Sequence, residues 1–387
     1  MNNVFEVFWR FLLLGCISFG GPAAHLGYFQ RTFVQRLKWL DDESYARLIS
    51  LSQFLPGPGS SQVGFALGLR RAGLWGGVAA FMGFTLPSFT LLYFLATSNL
   101  DDSANAMLAG VMHGLKLLAV VVVADATLSM FKSFCQDKVS MGIALLTAVA
   151  LLLVPQLWVQ IAVLALAALA GAFCGKPNSK HKPKASQPLS SGAFKLWPLL
   201  VFCGLLAGLP WLSGFSSWGS MFAAFYQSGS LVFGGGHVVL PLLQHTVGDA
   251  MSTDRFLMGY AAAQAVPGPM FTMATFLGAE MSAAHPLLAA LLATLAIFLP
   301  GFLLLLSLQG VWESLAAQPR VAGAAWGINA AVVGLLGAAL YQPVFTSAVF
   351  GATDMALVML GFFALRVLKV PIVWLVLGFV ALGLVLF

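Results

Sequence analysis

The side chains of this sequence that could do chemistry stand beside breaks in the backbone. Gln53 to Gln62 reads QFLPGPGSSQ, and Gln264 to Thr272 reads QAVPGPMFT. Neither Pro-Gly-Pro can continue a helix, because proline has no amide donor and glycine is conformationally loose. A helix that resumes at Pro58, or at Pro22 after the earlier Gly20-Gly21, leaves its first amides unbonded and its end positive. Gly57, Gly59 and Gly268 give close backbone approach, as do Gly20 and Gly21, and Gly234, Gly235 and Gly236 supply a matching nest. Ser60, Ser61 and Thr272 add hydroxyl donors, and Gln53 and Gln264 add amides. Helix ends of this kind bind anions. GPGSSQ is not a nucleotide loop, since no Lys-Ser or Lys-Thr follows the glycines.

One cation lies deep in an apolar run: Lys116, between Ala104 and Leu128. An intramembrane lysine is costly unless paired or functional, and His113 on the same helical face could donate to the same anion. Asp125, nine residues on, falls on the opposite face of a helix and is not its direct partner. His25 and His237 follow the two glycine breaks, where each could bond substrate or carry a proton. Glu6 and Arg10, spaced i, i+4, suit a local ion pair. No paired acids, no nucleophile with a nearby base and no metal-ligand spacing occurs, so the expectation is no catalytic residue, no metal and no cofactor. Cys16, Cys135, Cys174 and Cys203 read as packing residues.

The elements that must position these groups are membrane helices. The 387 residues are 60% apolar and 8% charged, with a mean hydropathy of +0.92, against roughly 25% charged in a soluble domain. Backbone in hydrocarbon must be internally bonded, and runs such as Leu74 to Leu95 lack the alternation of barrel strands. The expectation is an all-α polytopic membrane protein. No basic region or cleavage site precedes the first apolar run, which is therefore expected to stay as mature structure. The net charge of +6 sits in short loops between apolar segments, a positive-inside pattern and not a nucleic-acid surface.

The chain also repeats itself at an offset of about 211 to 216 residues. Phe19-Gly20-Gly21 answers Phe233-Gly234-Gly235, Gln53 to Pro58 answers Gln264 to Pro269, Leu86-Pro87 answers Leu299-Pro300, and Gly110 to Gly114 answers Gly323 to Gly327. Lys116 is answered by Asn329. The expected organisation is a first membrane repeat over 1–175, a basic cytoplasmic linker over 176–195, a connecting transmembrane helix over 196–212, and a second repeat over 213–387. Crossing helices are expected at roughly 74 to 97, 104 to 131, 139 to 154 and 156 to 174, after broken hairpins over about 5 to 37 and 43 to 70. Arg31, Arg36, Lys38, Arg47, Arg70 and Arg71 crowd the loops of the first pair of hairpins, whereas Arg255 stands beside Asp249 and Asp254 in the second. That asymmetry predicts two inverted-topology repeats with broken or re-entrant helices meeting at midplane.

SFGGPAAHLGYFQ, WLDDESYARLISLSQFLPGPGSSQVGFALG, GFTLPS, FGGGHVVLPLLQ, AAQAVPGP, ATLAIFLPGF and GINAAVVGLL closely resemble the long, two-domain form of the chromate ion transporter family. The resemblance spans nearly the whole chain apart from the linker. It implies a secondary transporter that exports chromate across a bacterial inner membrane, with halves of opposite orientation. It also implies a tetrahedral oxyanion and the lipid bilayer as partners and no nucleic acid; the glycine-rich faces add a homodimer as an expectation. A sulfate or general oxyanion carrier, a channel and an intramembrane enzyme stay open as alternatives. Substrate is expected to meet Gly20, Gly21, His25, Gln53, Gly57, Gly59, Ser60, Ser61, Lys116, Gly234, Gly235, Gly236, His237, Gln264, Gly268, Thr272 and Asn329.

Overall fold

The computed structural model describes residues 3–19, 21–98, 106–174, 194–233, 238–312, 315 and 318–386. The expectations for Gly20, Gly234, Gly235, Gly236, His237 and nearly all of the linker lie outside the described residues.

Apolar runs without alternation become helices, and among the described residues no strand forms. The first half contains α1 (Asn3–Ile17), α2 (Gly21–Phe29, continued as a π-helix over Gln30–Arg36), α3 (Asp42–Phe54), α4 (Gly59–Thr97), α5 (Ala106–Phe134), α6 (Lys138–Leu153) and α7 (Leu157–Cys174). An additional helix, α8 (Leu196–Phe215), follows the linker. The second half contains α9 (Ser217–Leu231), α10 (Val239–Val247), α11 (Thr253–Ala265), α12 (Met273–Glu280), α13 (Pro286–Leu308), α14 (Pro319–Ala339), α15 (Ala352–Arg366) and α16 (Ile372–Leu386). Long apolar stretches fall within Gly59–Thr97, Gly110–Phe134, Pro286–Leu308 and Pro319–Phe345, with four shorter apolar helices beside them. This is a multi-pass membrane protein.

α4 is two arms. Ala72 and Gly73 leave helical geometry, with Gly73 at φ +66, and the arms fold back so that Gly68 meets the backbone of Gly76 and Phe65 covers Gly77. The bend falls between the segment ends expected near 70 and 74. Helix starts are capped where the sequence turns polar. Asp41 accepts from the Ser44 amide at 2.6 Å, a bond that holds its carboxyl below the usual range, and Ser252 accepts from the Arg255 amide at 3.3 Å at the start of α11.

Contacts between the halves are reciprocal. α7 packs on α14 and α5 on α16, and α6 packs on α14 as α15 does on α5. Small residues allow this approach, for a Cβ on Gly114 or Gly383 would strike the backbone of the facing helix, as would one on Gly171, Gly323 or Gly327. The breaks are joined in the same reciprocal way. The Gly57 amide donates to Val232 O at 2.7 Å, and the Gly268 amide donates to Ser18 O at 3.0 Å. Each Pro-Gly-Pro of one half thus bonds the glycine break of the other.

Both glycines hold nearly the same left-handed torsion, φ +116 at Gly57 and +115 at Gly268. A side chain at Gly57 would stand 3.0 Å from the Gly301 Cα, and one at Gly268 would stand 2.7 Å from the Ser88 Oγ. Gly301 and Ser88 each follow the Leu-Pro of the opposite half. Gly57→Ala and Gly268→Ala are each expected to destabilise the fold by about 1–3 kcal/mol through torsional strain and crowding. Unfolding in detergent reads this, with Gly27→Ala, whose Cβ meets nothing within 4 Å, as a control expected to stay near wild type.

Candidate functional site

The site is built where α4 begins. Gln62 donates its amide to Pro58 O at 2.9 Å, so Gly59, Ser60 and Ser61 are the first residues of the helix, and their amides have no acceptor among the described residues. Ser60, Ser61 and Gln62 are buried. The Gln62 Nε2 donates to Pro56 O at 2.9 Å and to Gly301 O at 3.2 Å. Two carbonyl partners fix the amide orientation, which leaves Oε1 as an acceptor without a partner among the described residues.

His25 ties this helix start to the first break. Its Nε2 lies 3.2 Å from Ser18 O and its Nδ1 3.2 Å from the Ser60 Oγ. A carbonyl can only accept, so Nε2 carries the proton and Nδ1 accepts from Ser60. The ring stands edge-on to Phe84 at 5.1 Å. Ser18, Thr85 and Ser88 are buried in the same region, and the Ser88 hydroxyl donates to Thr85 O at 3.0 Å. The hydroxyls of Ser18, Ser61 and Thr85 have no partner among the described residues. An unpaired buried polar group costs about 1–3 kcal/mol, and each of these hydroxyls could donate to a polar guest.

The other expected residues divide sharply. Gly57 and Gly268 form the cross-linked turns, and Gly21 opens α2 at φ +76. Gln53 is exposed, while Gln264 donates to the Met270 Sδ at 3.0 Å and the Thr272 hydroxyl to Pro269 O at 2.6 Å. Lys116 is not among the breaks. Its Nζ donates to the Asp254 Oδ1 at 2.9 Å, in the first turn of α11, twelve residues or ~18 Å along the helix from the break at Val266. Asn329 is half-buried on α14. His113 contacts the Asp354 Oδ1 at 2.8 Å, so it and Lys116 serve separate carboxylates and not one shared anion. Asp125 pairs with Arg366 at 2.9 Å, and Glu6 pairs with Arg71 across the fold at 2.8 Å and not with Arg10.

Ser18, Gln62 and Thr85 were absent from the expected set. Each adjoins a repeated motif, yet differs between halves. Their counterparts at the same motif positions are Val232, Met273 and Phe298. They are therefore not among the residues that the repeat shares.

Beside the breaks lies a cavity of about 260 Å³ lined by Phe54, Phe233, Arg320, Val321, Ala324, Ala325 and Ile328. Phe54 ends α3 just before the first Pro-Gly-Pro, and Phe233 ends the Ser-Leu-Val-Phe run before the glycine nest. Arg320 is its one charged lining group. Among the described residues no cluster of three or more His, Cys, Asp or Glu could hold a metal.

The family model for chromate transporters matches residues 5–172 and again 219–384. The chain belongs to the chromate transporter family. Its members are transporters and not enzymes. The chain is 27% identical to the chromate transport protein of Pseudomonas aeruginosa, over 86% of its length and 79% of that relative. It is 26% identical to the chromate transport protein of Cupriavidus metallidurans, over 84% and 79%. An uncharacterized transporter of Methanocaldococcus jannaschii is 26% identical over 81% and 77%. No solved structure matches.

In this member of the family His25 is the buried strut between two breaks. His25→Ala removes a donor and an acceptor at once, and is expected to cost about 2–4 kcal/mol in chemical unfolding. A loss under about 0.5 kcal/mol would show that the strut carries no structural weight.

Proposed function

We propose that the protein is a secondary carrier that moves chromate out of the cytoplasm through a site at the midplane, between the broken helices. The carrying observation is the convergence of the breaks: Gly57 bonds Val232 and Gly268 bonds Ser18, beside unbonded amides and unpartnered hydroxyls. Such a place offers amide and hydroxyl donors with no fixed positive charge, which suits a tetrahedral anion that must leave again. With the cell interior negative, expelling a dianion is favoured by about 4.6 kcal/mol per 100 mV, at about 2.3 per charge.

The reading includes two inverted repeats, 1–175 and 213–387, joined by the cytoplasmic linker over 176–195 and a crossing helix that begins at 196, in a bacterial inner membrane. Reciprocal packing supports it, and one departure from that reciprocity supplies a mechanism. α11 packs on α5 and is fastened by Lys116 and Asp254, whereas the corresponding α3 and α14 flank the cavity with Arg320. If the linker lysines mark the inside, Arg320 lies at the cytoplasmic mouth, where it attracts anions, and the Lys116–Asp254 pair closes the far side. Transport then exchanges an open α3–α14 side for an open α5–α11 side.

Inside-out vesicles containing the protein are expected to take up chromate saturably under an imposed potential. Sulfate that blocks this uptake would make the protein a general oxyanion carrier, unsaturable conductance would make it a channel, and no uptake would refute transport. Lys116→Met is expected to change turnover by about fivefold or more, by shifting the balance of the two states, with KM held within about twofold. Charge reversal as Lys116→Asp with Asp254→Lys should restore it. A large rise in KM with normal turnover would instead place Lys116 in the substrate site.

A further inference from the structure

We infer that the side-chain ligands of the anion come from the first half of the chain alone, with Ser18, Ser61 and Thr85 as donors and Gln62 as the positioning residue. The inference deepens the carrier reading and rests on it. The hydroxyls of these three residues are buried and have no partner among the described residues, which are 0%, 3% and 4% exposed in that order. In hydrocarbon no bulk water satisfies them.

The three segments that hold them are joined by contacts of neighbouring groups. Ser18 lies one histidine ring from Ser60, and Ser61 is the next residue of α4. That ring packs on Phe84, which precedes Thr85. The Gly268 amide bonds Ser18 O, and a side chain there would stand 3.4 Å from Phe84 O. The first break, the start of α4 and the Leu-Pro segment therefore meet around His25.

The second half has the same backbone plan and different chemistry. At the positions answering Ser18, Ser60, Gln62 and Thr85 stand Val232, Phe271, Met273 and Phe298. Thr272 answers Ser61, but its hydroxyl is committed to Pro269 O at 2.6 Å. The missing side chain at Gly301, which answers Ser88, leaves room that the Gln62 amide fills. Gln62 thus braces Pro56 and Gly301 from the first half, while the second half contributes carbonyls, the Gly268 turn and an apolar wall. A tetrahedral anion bound here lies off the centre of the repeat, against α4.

Binding of chromate and of sulfate to the full-length purified protein, by titration calorimetry, tests this. Ser61→Ala and Thr85→Val are each expected to weaken binding about tenfold or more, as loss of a hydrogen bond to a charged group does. Thr85→Ser is expected to bind within about twofold of wild type, and Thr272→Val within about threefold. Ser18→Ala replaces either of the first two if that variant does not fold. Wild-type affinity in the Ser61 and Thr85 variants, or an equal loss in Thr272→Val, overturns the one-sided site. A wild-type protein that binds neither anion overturns the carrier reading and this inference with it.

Discussion

Two backbone hydrogen bonds, from Gly57 to Val232 O and from Gly268 to Ser18 O, are what allow this chain to be broken inside a membrane. Interrupting a helix frees donors and acceptors that hydrocarbon cannot satisfy, at several kcal/mol apiece. Each break here answers part of another's need. The positive φ of both glycines aims the amides across the repeat, and Gly301 and Ser88 mark how closely the opposite Leu-Pro segments approach. Remove the closure and the free helix start of α4 would open to lipid or close as a plain kink. Keep it, and unbonded amides are held next to buried hydroxyls.

The backbone obeys the repeat more faithfully than the side chains do. α3 and α11 have equal length and matching caps, and their Pro-Gly-Pro turns share one torsion. Yet the unpartnered buried hydroxyls found among the described residues, those of Ser18, Ser61 and Thr85, lie in one half, and the charge pair that fastens α5 to α11 has no equivalent between α3 and α14, because Asn329 stands where Lys116 would.

Much of this was legible in the residues. Gly and Pro inside apolar runs located the breaks, and the chain's self-similarity paired them. The edges of α5, α6 and α7 fall within a few residues of expectation, because hydropathy changes abruptly there. Lys116 shows the limit. A buried lysine is evidence of a partner, but the partner, Asp254, is 138 residues away and emerges only when α11 crosses α5. Glu6 likewise passes over nearby Arg10 for Arg71, since tertiary approach outweighs local spacing. Ser18 and Thr85 were invisible for another reason: lone hydroxyls in apolar helices are ordinary, and only an unfilled hydrogen bond distinguishes them.

The anomalous chromium signal from crystals of the protein soaked in chromate would locate the anion directly. A peak is expected between the breaks, within hydrogen-bonding reach of the Ser61 and Thr85 hydroxyls and of the first amides of α4. Peaks confined to the surface arginines, or a peak at Lys116 on the far side, would contradict it.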